Sequence, residues 1–285
     1  MSRPPRIEFP GACYYVTGRA LQGRKAFQDD RDYRAFEQVL DSVVSRFNWL
    51  LQSFVLLPDH YHLVIEVPDA NLSKGMRQLN GVYTQHYNRR HSSEGPLFHG
   101  RFKSVLFEKA AFLLPICRHT ALNPNRLQLV TRTEDYHQSS YGALIGERAM
   151  PDMLHPDDLY QQVAKKIDRG PKAFKRYVEA QEGFDSPLNE RSHQVLLGTD
   201  AFVERMQSLL QNTAKAKQAP KQVGRRKSLK VIFRGVSQMT RLERNQRMRL
   251  AHLEYGYTLA EIGQHLGLHY TTVSKVVSAG AFSAG

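Results

Sequence analysis

Hydrophobic positions in residues 1–125 repeat with two different periods, which indicates that strands and helices alternate along this stretch. The strand-like segments are dense in aromatic and β-branched residues, as in CYYVTGRA at 13–20. The helix-like segments place apolar residues three or four positions apart, as at Phe36, Leu40, Val43 and Phe47. The predicted elements are strand 13–20, helix 32–47, strand 49–57, strand 60–67, helix 71–91, strand 101–108 and helix 110–124.

The first six elements follow the order strand, helix, strand, strand, helix, strand, which is that of the split βαβ arrangement in ferredoxin-like sheets. Pro58 and Asp59 form a turn signal, so the second and third strands follow each other directly. Asn71 is a residue type that caps helix N-termini, and we place it at the start of the second helix. We predict an α+β fold whose antiparallel sheet carries its helices on one face.

The rest of the chain has a different pattern. Residues 126–210 have helical spacing interrupted by Gly, Pro and Ser. Residues 215–234 contain eight Lys or Arg side chains and no acidic one, which favours a flexible basic linker. Near the end, Thr258 and Glu261 form a capping-box pattern, and two short helical stretches flank Gly267. Short helices joined by a glycine-containing turn are typical of a helix-turn-helix.

These patterns divide the chain into four predicted parts. They are an α+β domain at 1–150, a helical connecting region at 151–212, a basic linker at 213–237 and a helix-turn-helix domain that binds DNA at 238–285. No internal repeat is visible along the sequence.

The charge balance indicates a polyanionic partner. The chain has 40 Lys and Arg against 27 Asp and Glu, a formal net charge of +13, which suits nucleic acid or an anionic membrane surface. No apolar run approaches the ~20 residues of a membrane span, and the N-terminal segment lacks an apolar signal core. Cys13 and Cys117 are too few for a disulfide framework or a zinc cluster. We expect a cytoplasmic, nucleoid-associated protein that binds no membrane. Because charge does not separate DNA from RNA, an RNA partner stays open.

The candidate chemistry begins with two histidines, His60 and His62. Residues two apart in a strand point to the same face of the sheet, so both imidazoles can approach one divalent metal ion. Tyr61 would then point to the opposite face. The alternative is two histidines on a half-exposed strand without a metal. The apolar surroundings favour a site, because an imidazole that is buried without a partner is costly to desolvate.

Three segments around this pair carry a resemblance to a known family. LLPDHYHLVIEVP, PLFHGRFKSVLFE and CRHTALNPNR together resemble the REP-associated and related single-tyrosine HUH transposases of bacteria, which are IS200-like, and DYHQSSYGALIG is similar to the segment that follows. The resemblance covers about residues 7–145. It implies a ferredoxin-like HUH endonuclease domain that recognises hairpins and cleaves and rejoins single-stranded DNA in DNA transposition. It is compatible with a homodimer.

The resemblance also implies roles for individual residues. His60 and His62 would hold Mg²⁺ or Mn²⁺, which neutralises charge on the scissile phosphate. The residue at position 119 would attack that phosphate and form a covalent intermediate that conserves the bond energy for rejoining. Asn123 would be the third metal ligand, since it follows position 119 by four residues and shares its helix face. The family carries tyrosine at this catalytic position, whereas this chain has His119.

Three interpretations of this departure stay open. In the first, another tyrosine replaces the missing one, and the candidates are Tyr83, Tyr87, Tyr136 and Tyr141. In the second, His119 itself acts, as a metal ligand or an unusual nucleophile. In the third, the chain is a domesticated relative, a regulator that binds DNA and no longer cleaves it.

Further basic and polar residues are candidates for DNA contacts in the two predicted DNA-binding parts and the linker. They are Arg89, Arg90, His99, Arg101, Lys103, Arg225, Arg226, Lys227, Tyr270, Thr271, Thr272, Ser274 and Lys275. Those of the helix-turn-helix would contact phosphates and base edges of duplex DNA in the major groove. Each group has a structural alternative: a solvated strand for 99–103, cations at a helix C-terminus for Arg89 and Arg90, and a helical bundle for protein contacts at the C-terminus.

Overall fold

A computed structural model of the protein describes residues 7–180, 186–191, 195–218, 227–255, 257, 259–268, 272–273 and 276–277. The chain divides into two compact units, Met1–Ala214 and Lys215–Gly285. Across the described residues, no helix has both the length and the apolar character needed to cross a membrane.

One five-stranded sheet forms the centre of the first unit, with the strand order β2-β3-β1-β4-β5. The strands are β1 Ala12–Arg19, β2 Leu50–Leu57, β3 His60–Val67, β4 Lys103–Phe107 and β5 Leu196–Leu197. β1 pairs antiparallel with β3 and β4, and β2 pairs antiparallel with β3, whereas β5 is parallel to β4. The first four strands therefore have the split βαβ topology that the sequence predicts, with β1 between β3 and β4.

The first three helices follow the order that the apolar spacing predicts, and five more follow them among the described residues of the first unit. Up to Gln218 they are α1 Asp30–Phe47, α2 Leu72–Arg90, α3 Lys109–Ala121, α4 Asn123–Arg126, α5 Tyr141–Leu144, α6 Asp157–Val163, α7 Gly170–Glu179 and α8 Asp200–Gln218, with short 3-10 helices at Thr133–Asp135, Ile167–Arg169 and Pro187–Glu190. α1 begins where the Asp29 side chain accepts hydrogen bonds from the backbone N–H groups of Arg31 and Asp32, which caps its first turn.

Both faces of the sheet are covered, because β1 is apolar on both sides. Tyr14 and Val16 belong to a core shared with α1 and α2. Cys13 and Tyr15 point the other way, into a second core shared with α3. The prediction that the helices lie on one face holds for α1 and α2 and is wrong for α3. A single helical layer would have left Cys13 and Tyr15 facing water.

The region predicted as a helical connection at 151–212 contributes to both cores of the first unit. Leu159 on α6 and Phe174 on α7 are buried in the core that contains α3. Phe202 on α8 is buried in the core that contains α1 and α2. These side chains are apolar at helical spacing, so packing on the sheet buries surface that a free connector would expose.

Residues that follow α4 also cover parts of both edges of the sheet. β5 pairs with the outer edge of β4. On the other side, single backbone bridges join β2 to Ser139, through Val55, and to Leu154, through Leu51. Some of the N–H and C=O groups on both outer strands therefore have partners from segments that lie beyond the four-stranded core.

The second unit has its own small core. Its helices are α9 Leu229–Ile232, α10 Arg241–Leu253 and α11 Leu259–Leu266, with a 3-10 helix at Val236–Gln238. Ile232 and Phe233, within the predicted linker at 213–237, pack with Met248 and Ile262. α10 begins with a capping box between Thr240 and Glu243.

Only part of the C-terminal helix-turn-helix prediction falls within the described residues. α11 ends at Gly267, whose φ of +66° is the left-handed conformation that favours glycine, as the sequence predicts. Thr258 of the predicted capping box and most of the helix predicted after Gly267 lie outside the described residues. The helix-turn-helix therefore stays a prediction.

A close contact between α2 and the residue before β2 requires glycine at position 75. A Cβ atom at Gly75 would lie 2.1 Å from Cζ2 of Trp49, and the indole is buried. Trp49 is held in place because its Nε1 donates to Oδ1 of Asn71 at 2.7 Å. Asn71 precedes α2 as predicted, but its side chain makes no capping bond and binds Trp49 and the Phe47 carbonyl instead.

We expect Gly75→Ala to destabilise the first unit by about 1–3 kcal/mol, because the added methyl group displaces the Trp49 ring. The matched control is Gly81→Ala on the same helix, where a Cβ atom meets nothing within 4 Å. This control should be neutral or stabilising by up to about 1 kcal/mol, since alanine is the better helix former. Urea unfolding followed by circular dichroism measures both. Equal stabilities of the two variants would contradict the close contact.

Candidate functional site

The strand register places His60 and His62 together on the sheet face that α3 covers. His60 lies opposite Arg19 of β1, and His62 lies opposite Thr17. The two imidazole rings are 4.9 Å apart between centroids and perpendicular. Tyr61 points to the other face, where its hydroxyl donates to Oδ1 of Asn80 at 2.6 Å. The predicted alternation along β3 is therefore present.

Each of the two imidazoles has its Nδ1 atom occupied by a neighbour. Nδ1 of His60 is hydrogen-bonded to the Asp59 carboxylate, which also accepts from Arg19 at 2.6 Å. Nδ1 of His62 lies 2.6 Å from the Tyr15 hydroxyl, and the two rings are stacked 5.3 Å apart. Such contacts orient an imidazole and leave Nε2 as the nitrogen that can bind a metal ion.

Burial keeps both imidazoles uncharged near neutral pH. Burial lowers the pKa of His60, and the Asp59 carboxylate opposes this effect. The pKa of His62 lies well below its ordinary value, because of burial first and then of its neighbours His60, His119 and Arg126. The neutral imidazole is the form that binds metals, so both rings are in the state that a metal site requires.

Tyr15 connects this pair to the C-terminal end of α3. Its ring makes a T-shaped contact with the His119 ring, with centroids 5.7 Å apart, and it stacks on the His62 ring. The Tyr15 side chain is only 2% exposed, and burial raises the pKa of its hydroxyl. The buried phenol of Tyr15 therefore contacts both His62 and His119.

His119 is held by a cation from the segment that follows α3. Nη1 of Arg126 lies 2.7 Å from Nδ1 of His119, and Nη2 donates to the His119 carbonyl oxygen. The hydroxyl of Ser186 is 3.2 Å from the same Nδ1. Burial, and then the positive charges of Arg126 and Arg191, lower the pKa of His119 to about 3. The ring is therefore neutral at physiological pH.

Asn123, the predicted third ligand, lies at the start of α4, close to Tyr15. Its side chain partly offsets the rise that burial causes in the Tyr15 pKa. Its Nδ2 atom is buried and forms no hydrogen bond with any residue that the structure describes. This N–H donor is available to an acceptor such as a phosphate oxygen, whereas Oδ1 is the atom of this amide that can bind a metal ion.

These residues fit a divalent cation that shares its coordination with a phosphate. The chain offers two neutral imidazoles and one amide. The Tyr15 hydroxyl can accept a hydrogen bond from Nδ1–H of His62, which leaves Nε2 unprotonated. Among the described residues, no group of three His, Cys, Asp or Glu side chains is arranged to hold a metal ion. The remaining ligands would therefore come from phosphate oxygens and water, as is usual for Mg²⁺.

Two cations lie on the same sheet face beside the histidines. Arg19 is opposite His60, and its side chain is 63% exposed. Thr17 of β1 lies between His62 of β3 and Lys103 of β4, with one of them opposite it on each side. Lys103 is also exposed. A strand of nucleic acid that reaches the histidines would meet positive charge at the edge of the site.

The other predicted DNA contacts are distributed over the surface or lie outside the described residues. Arg89, His99, Arg101, Lys227 and Thr272 are exposed. Arg90 instead forms ion pairs with Asp29, which caps α1, and with Asp32 of α1, which supports the structural alternative for this residue. The residues outside the described part are Arg225, Arg226, Tyr270, Thr271, Ser274 and Lys275.

The four tyrosines named from the sequence as replacement nucleophiles are all buried. Tyr83 and Tyr87 belong to the core on the opposite face of the sheet. The Tyr136 hydroxyl donates to the Leu56 carbonyl, and Tyr141 packs against Phe174. The tyrosine beside the histidines is Tyr15, which the sequence analysis missed. Tyr15 lies on the same sheet face as His62, and this proximity becomes apparent only once the register of β1 and β3 is known.

Residues 14–112 match the family described as Transposase IS200 like, which confirms the family resemblance over that segment. No curated protein matches the chain. Among solved structures, the chain is similar to one described as the REP-associated tyrosine transposase bound to a REP hairpin, with 16% identity and a TM-score of 0.46 over 54% of this chain and 90% of that one.

The geometry predicts that His60→Ala and His62→Ala each abolish Mn²⁺ binding without unfolding the protein, because each removes one of the two imidazole ligands. Asp59→Asn should weaken binding by roughly 10–100-fold, since it disturbs the orientation of His60. Isothermal calorimetry measures the affinities, and His99→Ala, which changes an exposed histidine, is the control. Unchanged Mn²⁺ affinity in both alanine variants would exclude the site.

The lowered pKa of His119 predicts a loss of stability in acid. Below the ordinary pKa of 6.5 the unfolded chain takes up a proton at His119, whereas the folded chain resists protonation down to about 3. Between these values the folded state loses at most roughly 1.4 kcal/mol per pH unit. His119→Gln should therefore make the free energy of unfolding less dependent on pH in this window.

Urea unfolding at pH 7 and at pH 4.5 tests this prediction. The fluorescence of Trp49, the single tryptophan of the chain, reports on the first unit alone. His99→Gln is the matched control. If wild type and His119→Gln lose the same stability between the two pH values, His119 is not held neutral in the folded protein.

Proposed function

We propose that this is a transposase-like protein that binds single-stranded DNA carrying hairpins, with a backbone phosphate received at His60 and His62. The observation that supports this most directly is the meeting of two chain segments around Tyr15. His62 of β3 and His119, which Arg126 holds, both contact this phenol. The family match over residues 14–112 supports the same proposal from the sequence.

The electrostatics of this face suit an anionic backbone. The histidines are neutral and polar, and the positive charges of Arg19, Lys103 and Arg126 lie around them. A phosphate can therefore approach without meeting a free carboxylate, because Asp59 is paired with Arg19 and His60. Binding through such cations releases counterions from the nucleic acid, so its affinity depends on salt.

A divalent cation would be held by His60 and His62, with Asn123 as the third protein ligand. When bound, Mg²⁺ or Mn²⁺ would neutralise charge on the non-bridging phosphate oxygens. Asp59 and Tyr15 would keep the two imidazoles in position through their contacts with Nδ1.

Cleavage and rejoining of the bound strand is a second candidate function, and the histidine pair favours it. The alternative is a regulator that binds DNA without cleaving it. The residue at position 119 favours this alternative, as does the burial of Tyr15 and of the four other candidate tyrosines. Both candidates share the DNA-binding step, so they differ only in the chemistry that follows.

The second unit would add a separate contact with DNA. Its predicted helix-turn-helix and the exposed Lys227 and Thr272 are suited to duplex DNA. Two binding modules on one chain raise the local concentration of each at a shared target. A nucleoid-associated location follows from this proposal, and a homodimer would double the number of contacts.

Binding is tested by mobility shift with a single-stranded DNA that contains a hairpin. Unpaired DNA of the same composition and the matching RNA hairpin should bind more weakly. The plot of log affinity against log salt has a negative slope. Lys103→Gln should make this slope shallower by about one, because one phosphate contact is lost. Lys74→Gln, an exposed cation on α2, is the control and should leave the slope unchanged. Identical slopes for the two variants would contradict a phosphate at this face.

A denaturing gel distinguishes the enzyme from the regulator after the protein is incubated with the hairpin DNA and Mn²⁺. A band that survives denaturation and vanishes when one tyrosine is changed to phenylalanine supports the enzyme. Cleavage without an adduct indicates hydrolysis by water, and tight binding without cleavage supports the regulator. His119→Tyr restores the family residue, and a gain of nicking would show that only the nucleophile has been lost.

A further inference from the structure

The hydrogen bonds of His119 determine which of its ring nitrogens carries the proton. Nδ1 lies 2.7 Å from Nη1 of Arg126, and a guanidinium group donates hydrogen bonds but has no lone pair to accept one. The Ser186 hydroxyl, 3.2 Å from the same atom, can also donate. Nδ1 of His119 is therefore an acceptor and carries no proton.

Arg126 is fixed in this position by a second contact. Its Nη2 donates to the carbonyl oxygen of His119, so one guanidinium binds the backbone and the ring of the same residue. A flipped ring would present a carbon atom to Nη1 and would leave this donor without an acceptor. The arrangement therefore selects a single orientation of the imidazole.

The charge state of His119 completes the assignment. The ring is neutral at physiological pH because it is buried and because Arg126 and Arg191 are near. A neutral imidazole carries one proton, and Nδ1 is unprotonated, so the proton is on Nε2. No residue that the structure describes accepts a hydrogen bond from this Nε2 atom.

We propose that His119 binds a DNA phosphate oxygen as a hydrogen-bond donor through Nε2–H, with Arg126 as its positioning residue. The phosphate in this proposal is the one of the proposed function. A protonated Nε2 has no lone pair with which to attack phosphorus or bind a metal ion, and the lone pair of Nδ1 is occupied by Arg126. The position that carries a nucleophile in the family thus carries a donor in this chain.

The protonation of the ring can be measured without any DNA. In the full chain labelled with ¹⁵N-histidine, long-range ¹H–¹⁵N correlation at pH 7 distinguishes the two neutral tautomers and the imidazolium. His119→Gln identifies the signal among the twelve histidines. We expect the Nε2–H tautomer in the wild type and a shift towards a mixture in Arg126→Met. An Nδ1–H or doubly protonated His119 in the wild type would overturn the proposal.

The phosphate contact is tested by affinity for the hairpin DNA. His119→Gln keeps an N–H donor and should bind within a few-fold of wild type, whereas His119→Phe keeps a ring without a donor. We expect His119→Phe to bind roughly tenfold or more weakly, the effect of losing a hydrogen bond to a charged group. Fluorescence of Trp49 shows whether each variant is folded. If His119→Phe does not fold, the affinity of His119→Gln for the hairpin DNA tests the proposal instead.

The outcomes distinguish this inference from the proposed function. If the wild type binds no hairpin DNA, the proposed function fails, and the phosphate role of His119 fails with it. If the wild type binds and His119→Phe binds equally well, only the donor role is overturned. A large loss of affinity in His119→Gln would also overturn it, since that variant retains a donor.

Discussion

The antiparallel pairing of β1 with β3 is the constraint on which the site depends. It sets Arg19 beside His60 and Thr17 beside His62, and it brings Tyr15 close enough to bind Nδ1 of His62. A shift of the register by one residue would turn both histidines into the core of α1 and α2 and would place Tyr61 against α3. The pairing that stabilises the sheet therefore also determines which side chains can cooperate chemically.

The site combines neutral rings with cations that are already engaged within the protein. Arg19 binds Asp59, and Arg126 binds His119 by both its ring and its backbone. Such pairs hold positive charge in place before any ligand arrives, so less side-chain entropy is lost on binding. Burial is the main reason that His60, His62 and His119 are uncharged, and the neighbour at Nδ1 differs from one ring to the next.

The sequence was sufficient for the order of elements around the sheet and for the common face of His60 and His62, because both follow from local periodicity. The dense apolar residues of β1, which do not alternate with polar ones, indicate a strand that is buried on both faces, but they do not indicate which helix covers the second face. Tyr15 and Arg126 were missed as members of the site because each depends on contacts between segments far apart in the chain. Arg90 was assigned to DNA, although its ion pairs with Asp29 and Asp32 require knowledge of how α1 and α2 pack.

The pairing of β5 with β4 has a consequence for how the first unit can be divided. A shorter protein that stops near residue 150 would retain the segment that matches the family, but it would lose Leu196 and Leu197 and leave the edge of β4 unpaired. An open strand edge is a template for pairing with another molecule, and the apolar surface left by α6, α7 and α8 would be exposed beside it. The later helices and β5 therefore protect the first unit against aggregation. A fragment that stays soluble and folded must be longer than residues 14–112, the segment that matches the family.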